Sequence, residues 1–288
     1  SASAPAYTFN DDPNTGIYRT GADGIGLSTG GAVRMILDDN SRISLSNNDS
    51  SGAVGTTLFG YNAGLGIVSG AHENTFIGYL SGSGAGSTMT ATADGNTGVG
   101  VYTLQDITEG GQNTAIGGSA VHNVTEGNLN TGLGFATLGS VTTQLNNTAV
   151  GAYAGSATTG ADNTYVGHKA GYGASGAEAN NVGVGSNALT AIVDGGYNTS
   201  LGFNSGKALT TGDQNVFVGN AAGYATTDVD KAVIVGDNAA IANMTSDADG
   251  TVAVGQKALT SLTSGQGNVA VGFEALDAED DGDFNTAV

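Results

Sequence analysis

The sequence predicts an all-β chain, a parallel β-solenoid or β-roll of about 13 rungs with a 17-residue period, preceded by a small β module. One five-residue pattern, seen as Asn113-Thr114-Ala115-Ile116-Gly117, keeps returning. Its glycine falls at Gly60, Gly78, Gly100, Gly117, Gly134, Gly151, Gly167, Gly185, Gly202, Gly219, Gly236, Gly255 and Gly272, with intervals centred on 17. The 50 glycines lack collagen's every-third spacing and punctuate tight turns instead. No helical periodicity runs between them.

Residues 1–50 form the module and residues 51–288 the repeat shaft. In the module, Gly24-Ile25-Gly26-Leu27-Ser28 and Val33-Arg34-Met35-Ile36-Leu37 alternate as strands. Turn signals stand at Asp11-Asp12-Pro13-Asn14, Thr20-Gly21-Ala22-Asp23-Gly24 and Asp38-Asp39-Asn40-Ser41. Arg19, Arg34 and Arg42 give this segment three of the seven basic residues.

The run Asn14-Thr15-Gly16-Ile17-Tyr18-Arg19-Thr20-Gly21-Ala22-Asp23, with Gly30-Gly31-Ala32-Val33-Arg34-Met35 and the Asn-Thr-Ala-Val-Gly repeats beyond, resembles tail-fibre proteins of tailed bacteriophages. The resemblance covers nearly the whole chain and implies a homotrimeric, extracellular virion component with a role in host attachment. Its partners would be two further copies, other virion tail proteins, and a host surface glycan or protein. Such fibres often end in a cleaved intramolecular chaperone, and no such domain is visible here. The repeats resemble less closely the heads of trimeric autotransporter adhesins, and some phage fibres carry polysaccharide depolymerase activity. Both remain alternatives. The start at Ser1 and the stop at Val288, one residue before the next rung glycine is due, predict a piece of a longer protein.

The columns of the repeat carry separate physical duties. Three residues before the glycine stands Thr or Val, and one residue before it an aliphatic residue or Phe, from Phe59 to Val288. These two columns are expected on one strand face, stacked as an inner wall. Three residues after the glycine nothing larger than Thr occurs. That uniformity predicts close approach of a second backbone, either the return strand of the same coil or a neighbouring chain. The next position, usually Leu or Gly, marks a corner. Four residues before the glycine, eleven of fourteen rungs have Asn, which predicts a hydrogen-bonded ladder, with a ligand-binding array as the alternative. Stacked about 4.8 Å apart, thirteen rungs make a shaft roughly 60 Å long. So thin a coil calls for lateral association, most simply a trimer.

The charge balance of −19, from 26 acidic and 7 basic side chains, excludes nucleic acid as a partner, because phosphate neutralisation needs clustered Lys and Arg. No run of apolar residues is long enough to span a membrane. Cysteine is absent, so no disulfide framework is expected.

No catalytic or cofactor-binding residue is expected. His72, His122 and His168 sit at different offsets from their rung glycines and show no metal-ligand spacing. Gly26-Leu27-Ser28-Thr29-Gly30 matches the nucleophile-elbow string but lies among strands with no helix to follow. Asp247-Ala248-Asp249-Gly250 and Asp280-Asp281-Gly282-Asp283 resemble calcium turns without the full twelve-residue loop. Asp247, Asp249, Asp280, Asp281 and Asp283 are therefore the candidate metal ligands, with calcium as the ion. Tyr61, Tyr79, Phe135, Phe203 and Phe273, each just after a rung glycine, are expected to be exposed, either at an inter-chain contact or against sugar rings. Recognition is expected in the variable connections, of which Ser81 to Gly95 is the longest.

Overall fold

The computed structural model describes residues 1–20, 24–37, 43–45, 55–173, 176 and 178–288. The boundary between module and shaft, the turn at Asp38–Ser41, Arg42 and Gly21–Asp23 lie outside the described residues.

Five strands form the module: β1 (Tyr7–Phe9), β2 (Asp12–Arg19), β3 (Ile25–Thr29), β4 (Ala32–Leu37) and β5 (Ile43–Leu45). They pair in sequence order as an antiparallel meander, and β3 and β4 coincide with the two alternating runs. Pro13 lies inside β2, so the first hairpin turn falls at Asn10 and Asp11, earlier than the turn signal around the proline suggested.

The shaft is one parallel sheet of fourteen short strands, from β6 (Thr57–Phe59) to β19 (Thr286–Ala287), each paired with the next in the chain. Register is strict: Thr131 lies opposite Thr114 on one side and Thr148 on the other. Among the described residues the only helical turns are two 3-10 pieces, Gly84–Gly86 and Ser246–Ala248.

The rung glycines have φ between +121° and +144°. A Cβ on Gly117 would stand 2.6 Å from the carbonyl oxygen of Gly134, so the next coil's backbone occupies the space a side chain would need. Glycine is required there by conformation and by proximity alike.

The predicted inner wall is inverted. From β7 to β18 the middle residue of every strand is buried and its two neighbours are half-buried or exposed, so the middle residue points inward and the two uniform columns point out. Phe76, Ala115, Ala149, Tyr165, Phe217, Ile234 and Ala270 are fully buried, whereas Ile116 is 42% and Leu201 49% exposed. The inward column varies so widely in size that its lack of uniformity hides it.

The small residue before each corner faces its own coil, the first of the two expected neighbours. The Ser200 hydroxyl donates to the Ser205 carbonyl at 2.8 Å, and a Cβ on Gly98 would meet the Thr103 hydroxyl at 2.9 Å. One residue further, Leu104, Leu138, Leu189 and Leu259 turn inward with φ of +48° to +51° and fill the coil. A third inward column, Ile107, Val124, Val141, Ile192, Leu209 and Leu262, closes the far side. Met89, from the longest connection, is buried as well.

Asparagine supplies the polar spine. Asn74, Asn96, Asn113, Asn130, Asn147, Asn163, Asn181, Asn198 and Asn215 are all fully buried. Each Oδ1 accepts the backbone N–H of the residue one coil on, as from Asn113 to Asn96 at 3.0 Å and from Ala232 to Asn215 at 2.8 Å. Each Nδ2 from Asn96 onward donates to a corner carbonyl, such as Gly127 from Asn113 at 2.8 Å. Fully bonded and closed to solvent, these side chains form the ladder and not a ligand-binding array.

Candidate functional site

Strand alternation turns the Thr/Val column and the aliphatic column toward solvent on one face of the parallel sheet. Neither column holds a charged residue in any of the fourteen rungs, in a chain of net charge −19. Phe59, Ile116, Val150 and Leu201 are exposed on it. The predicted aromatics after the glycine extend the same face: Tyr61, Tyr79, Phe135, Phe203 and Phe273 are all exposed. Tyr61 stacks on Tyr79 with ring centroids 5.5 Å apart, and Phe135 meets Tyr153 edge-on at 5.4 Å. The two strand columns make an uncharged, β-branched and aliphatic surface along the fourteen strands, and the column after the glycine borders it with aromatics in five coils and with His168 and Asp237 in two others. Such a surface leaves a large apolar area to cover.

The candidate metal residues are only partly brought together. Asp247, Asp281 and Asp283 line one open polar pocket of about 380 Å³ with Ser246, Ser264, Gly265 and Gln266. Asp280 lies beside it, and carboxylate oxygens of Glu279, Asp280 and Asp281 fall within 4.8 Å of one another. Glu279 was not among the sequence candidates, and one of its oxygens already accepts the Gly282 N–H at 2.6 Å. Asp249 stands apart from the pocket, its carboxylate accepting the Asp230 N–H at 2.7 Å. Asp283 likewise accepts the Gln266 N–H at 2.8 Å, and Asp213 that of Gly196. These aspartates belong to a second rung-to-rung ladder, six residues before the rung glycine, where Asn128 and Asp94 also accept. The D-x-D-G spacing thus has a backbone-capping cause.

Ser28 of the Gly-x-Ser-x-Gly string is buried in β3 and aims its hydroxyl at the carbonyls of Asn14 and Gly16. A hairpin turn and β4 follow it. His72, His122 and His168 remain dispersed along the shaft, and His168 is exposed with its ring edge-on to Tyr153.

One buried polar group escaped the sequence reading. Glu178 is 1% exposed and lies within the electrostatic reach of the buried Tyr165 hydroxyl. Its Oε1 accepts the Thr159 N–H at 3.2 Å, while Oε2 and the hydroxyls of Tyr165 and Thr158 have no bonding partner among the described residues. Burial pushes the Glu178 carboxyl up to about 7, and burial followed by the Glu178 charge pushes the Tyr165 phenol well above its usual range. The available signal was positional. Glu178 occupies the column seven residues before the rung glycine, which holds Gly110, Gly127, Gly160, Gly195, Gly212, Gly265 and Gly282 in other coils.

No helix among the described residues is long and apolar enough to cross a membrane. Comparison with protein-family models, with curated proteins and with solved structures finds no match for the chain.

Proposed function

We propose that the chain is the shaft of a homotrimeric bacteriophage tail fibre, an extracellular, non-catalytic virion component that takes part in host attachment. The observation that carries this reading is the uncharged outer face of the parallel sheet, with Ile116, Val150 and Leu201 turned to solvent. A single coil leaves that face open along fourteen strands, and three copies turned inward around a common axis bury it. The module adds a second apolar surface, on which Tyr7, Phe9, Ile17, Ile25 and Leu27 are exposed and of which Tyr7, Ile17 and Ile25 line a pocket of about 410 Å³. The phage assignment itself rests on the resemblance of Asn14–Asp23 and the repeats to tail-fibre sequences. Calcium, if bound, belongs in this reading to the pocket of Asp247, Asp281 and Asp283 at the far end of the shaft.

Light scattering on the purified chain tests the assembly, with a native mass of three chains expected. A mass near the 28.1 kDa of one chain sinks the fibre reading. Incubation with host capsule or lipopolysaccharide is expected to release no oligosaccharide, and sustained release overturns the non-catalytic part.

A further inference from the structure

Beyond the apolar face, the shaft has a side on which charge is sorted. In five consecutive coils the six residues after the rung glycine, 152–157, 168–173, 186–191, 203–208 and 220–225, contain no Asp or Glu. They contain Lys169 and Lys207, two of the four lysines, together with Tyr153, Tyr172 and Tyr224. Each lysine sits over a tyrosine ring, Lys169 5.5 Å from the Tyr172 centroid and Lys207 5.0 Å from that of Tyr224.

Between Thr190 and Tyr224 this side forms an open trough of about 300 Å³, lined by Thr190, Ala191, Lys207, Ala208, Tyr224 and Ala225. Thr190, Lys207 and Tyr224 occupy the same column in successive coils and are held in step by the backbone. Ala191 N–H donates to the Lys207 carbonyl at 3.1 Å and Ala208 N–H to that of Tyr224 at 3.2 Å. The trough therefore exists before any ligand arrives, which limits the ordering cost of binding. Its lining surface is almost wholly apolar, with the methyls of Ala191, Ala208 and Ala225 beside Tyr224. Its polar atoms form a donor set: Lys207 Nζ spends one N–H on the Tyr224 hydroxyl at 3.2 Å and keeps two, and the phenol O–H remains to donate. Thr190 spends its own proton on the Asn187 carbonyl at 2.7 Å. An apolar lining beside surplus donors fits a ligand with one flat C–H face and an acceptor-only anionic group.

We infer that this trough binds an acidic saccharide. The C–H face of the sugar rests on the Ala191, Ala208 and Ala225 methyls and against the Tyr224 ring, and its carboxylate takes the free protons of Lys207 and Tyr224. The inference rests on the host-attachment reading and names the ligand class that attachment would use. The trough lies on residues five and six after the rung glycine, whereas the outward columns of the sheet stand three residues and one residue before it.

The test is calorimetric titration of the full chain with oligogalacturonate and with the same oligosaccharide as its methyl ester, which keeps the rings and loses the charge. Saturable binding of the acid is expected, weakening with salt, and the ester should bind at least about tenfold more weakly. Lys207→Ala should reduce the acid to the level of the ester, Tyr224→Ala should abolish both, and Tyr224→Phe should retain most of the stacking. Tyr197→Ala, at an exposed tyrosine elsewhere on the coil, should change nothing. Absence of saturable binding, equal binding of acid and ester, or binding indifferent to Lys207 and Tyr224 overturns the site. A trimer that binds neither sugar sinks the trough alone, and a one-chain species that binds the acid sinks the fibre reading alone.

Discussion

A Cβ placed on Gly223 would stand 2.5 Å from ring carbons of Phe217, six residues earlier in the same coil. The pair is one instance of a rule. Where the inward strand residue is large, as Leu58, Phe76, Tyr165 and Phe217, the corner residue six positions on is Gly64, Gly82, Gly171 and Gly223. Where it is Gly98, Gly132 or Gly183, the corner is Leu104, Leu138 or Leu189. Most coils fill a similar volume from one side or the other, and where both sides are small, at Ala149 with Gly155 and at Ser200 with Gly206, side chains of the adjacent coils, Leu138 with Tyr165 and Leu189 with Phe217, take the space. Gly223→Leu should cost about 1–3 kcal/mol or more by overpacking, since leucine adopts the same positive φ at Leu189 without displacing the chain. Phe217→Gly in the same chain should restore much of the loss. A double-mutant cycle in denaturant checks it, and additive penalties would show that the two positions do not share space.

This coupling explains how much of the fold the sequence disclosed. Period, strand position, parallel stacking and the asparagine ladder were legible because each is repeated at one offset. Leu104 and Gly223 read only as a corner because the column they complement changes size from rung to rung. The uniform Thr and aliphatic columns looked like a core for the same reason, although Ile116 and Leu201 are exposed. The aspartate pocket was half legible. Asp247, Asp281 and Asp283 do converge, but the spacing that drew attention to Asp249 reflects its bond to the Asp230 N–H. The trough at Lys207 and Tyr224 gave no motif, because its residues lie one coil apart and share only a column.

The asparagine ladder should fail locally when a single rung is removed. Asn147 Oδ1 accepts the Asn163 N–H at 3.1 Å, and its Nδ2 donates to the Gly160 carbonyl at 3.0 Å, all without solvent access. Asn147→Ala strands those groups, at about 1–3 kcal/mol for each buried polar group left unpaired. Hydrogen exchange should show loss of protection at Asn163 first. Protection unchanged there would mean that the ladder adds nothing to the backbone pairing. Asn147→Asp should be worse, since it keeps the acceptor, loses the donor and buries a charge.

Stability should fall with rising pH because of Glu178. Its carboxyl titrates near 7 in the fold against an ordinary 4.5, so the folded chain binds this proton more tightly than the unfolded one. The stabilisation from that proton is complete below about pH 4.5 and is lost as pH rises through about 7. Tyr165, pushed upward, stays neutral throughout this window. Melting temperatures of Glu178→Gln should lack this component, and the variant should gain most on the wild type above pH 7. An identical pH slope in both proteins would place the titration elsewhere.

The outward columns make the sharpest separation between folding and assembly. Ile116 and Leu201 sit on the open face of their strands, 42% and 49% exposed, while the core is built from Ala115, Ser200 and the residues they face. Ile116→Lys with Leu201→Lys therefore removes little packing within one chain, so the coil should keep its circular dichroism. In a trimer that joins these faces, the same change places lysines from three chains around one axis in a low-dielectric interface. Light scattering should then report single chains at concentrations where the unchanged protein is trimeric. If the lysine variant stays trimeric, the copies meet through another surface. If it unfolds as a single chain, the outward columns support the coil itself, and the open face has no assembly role.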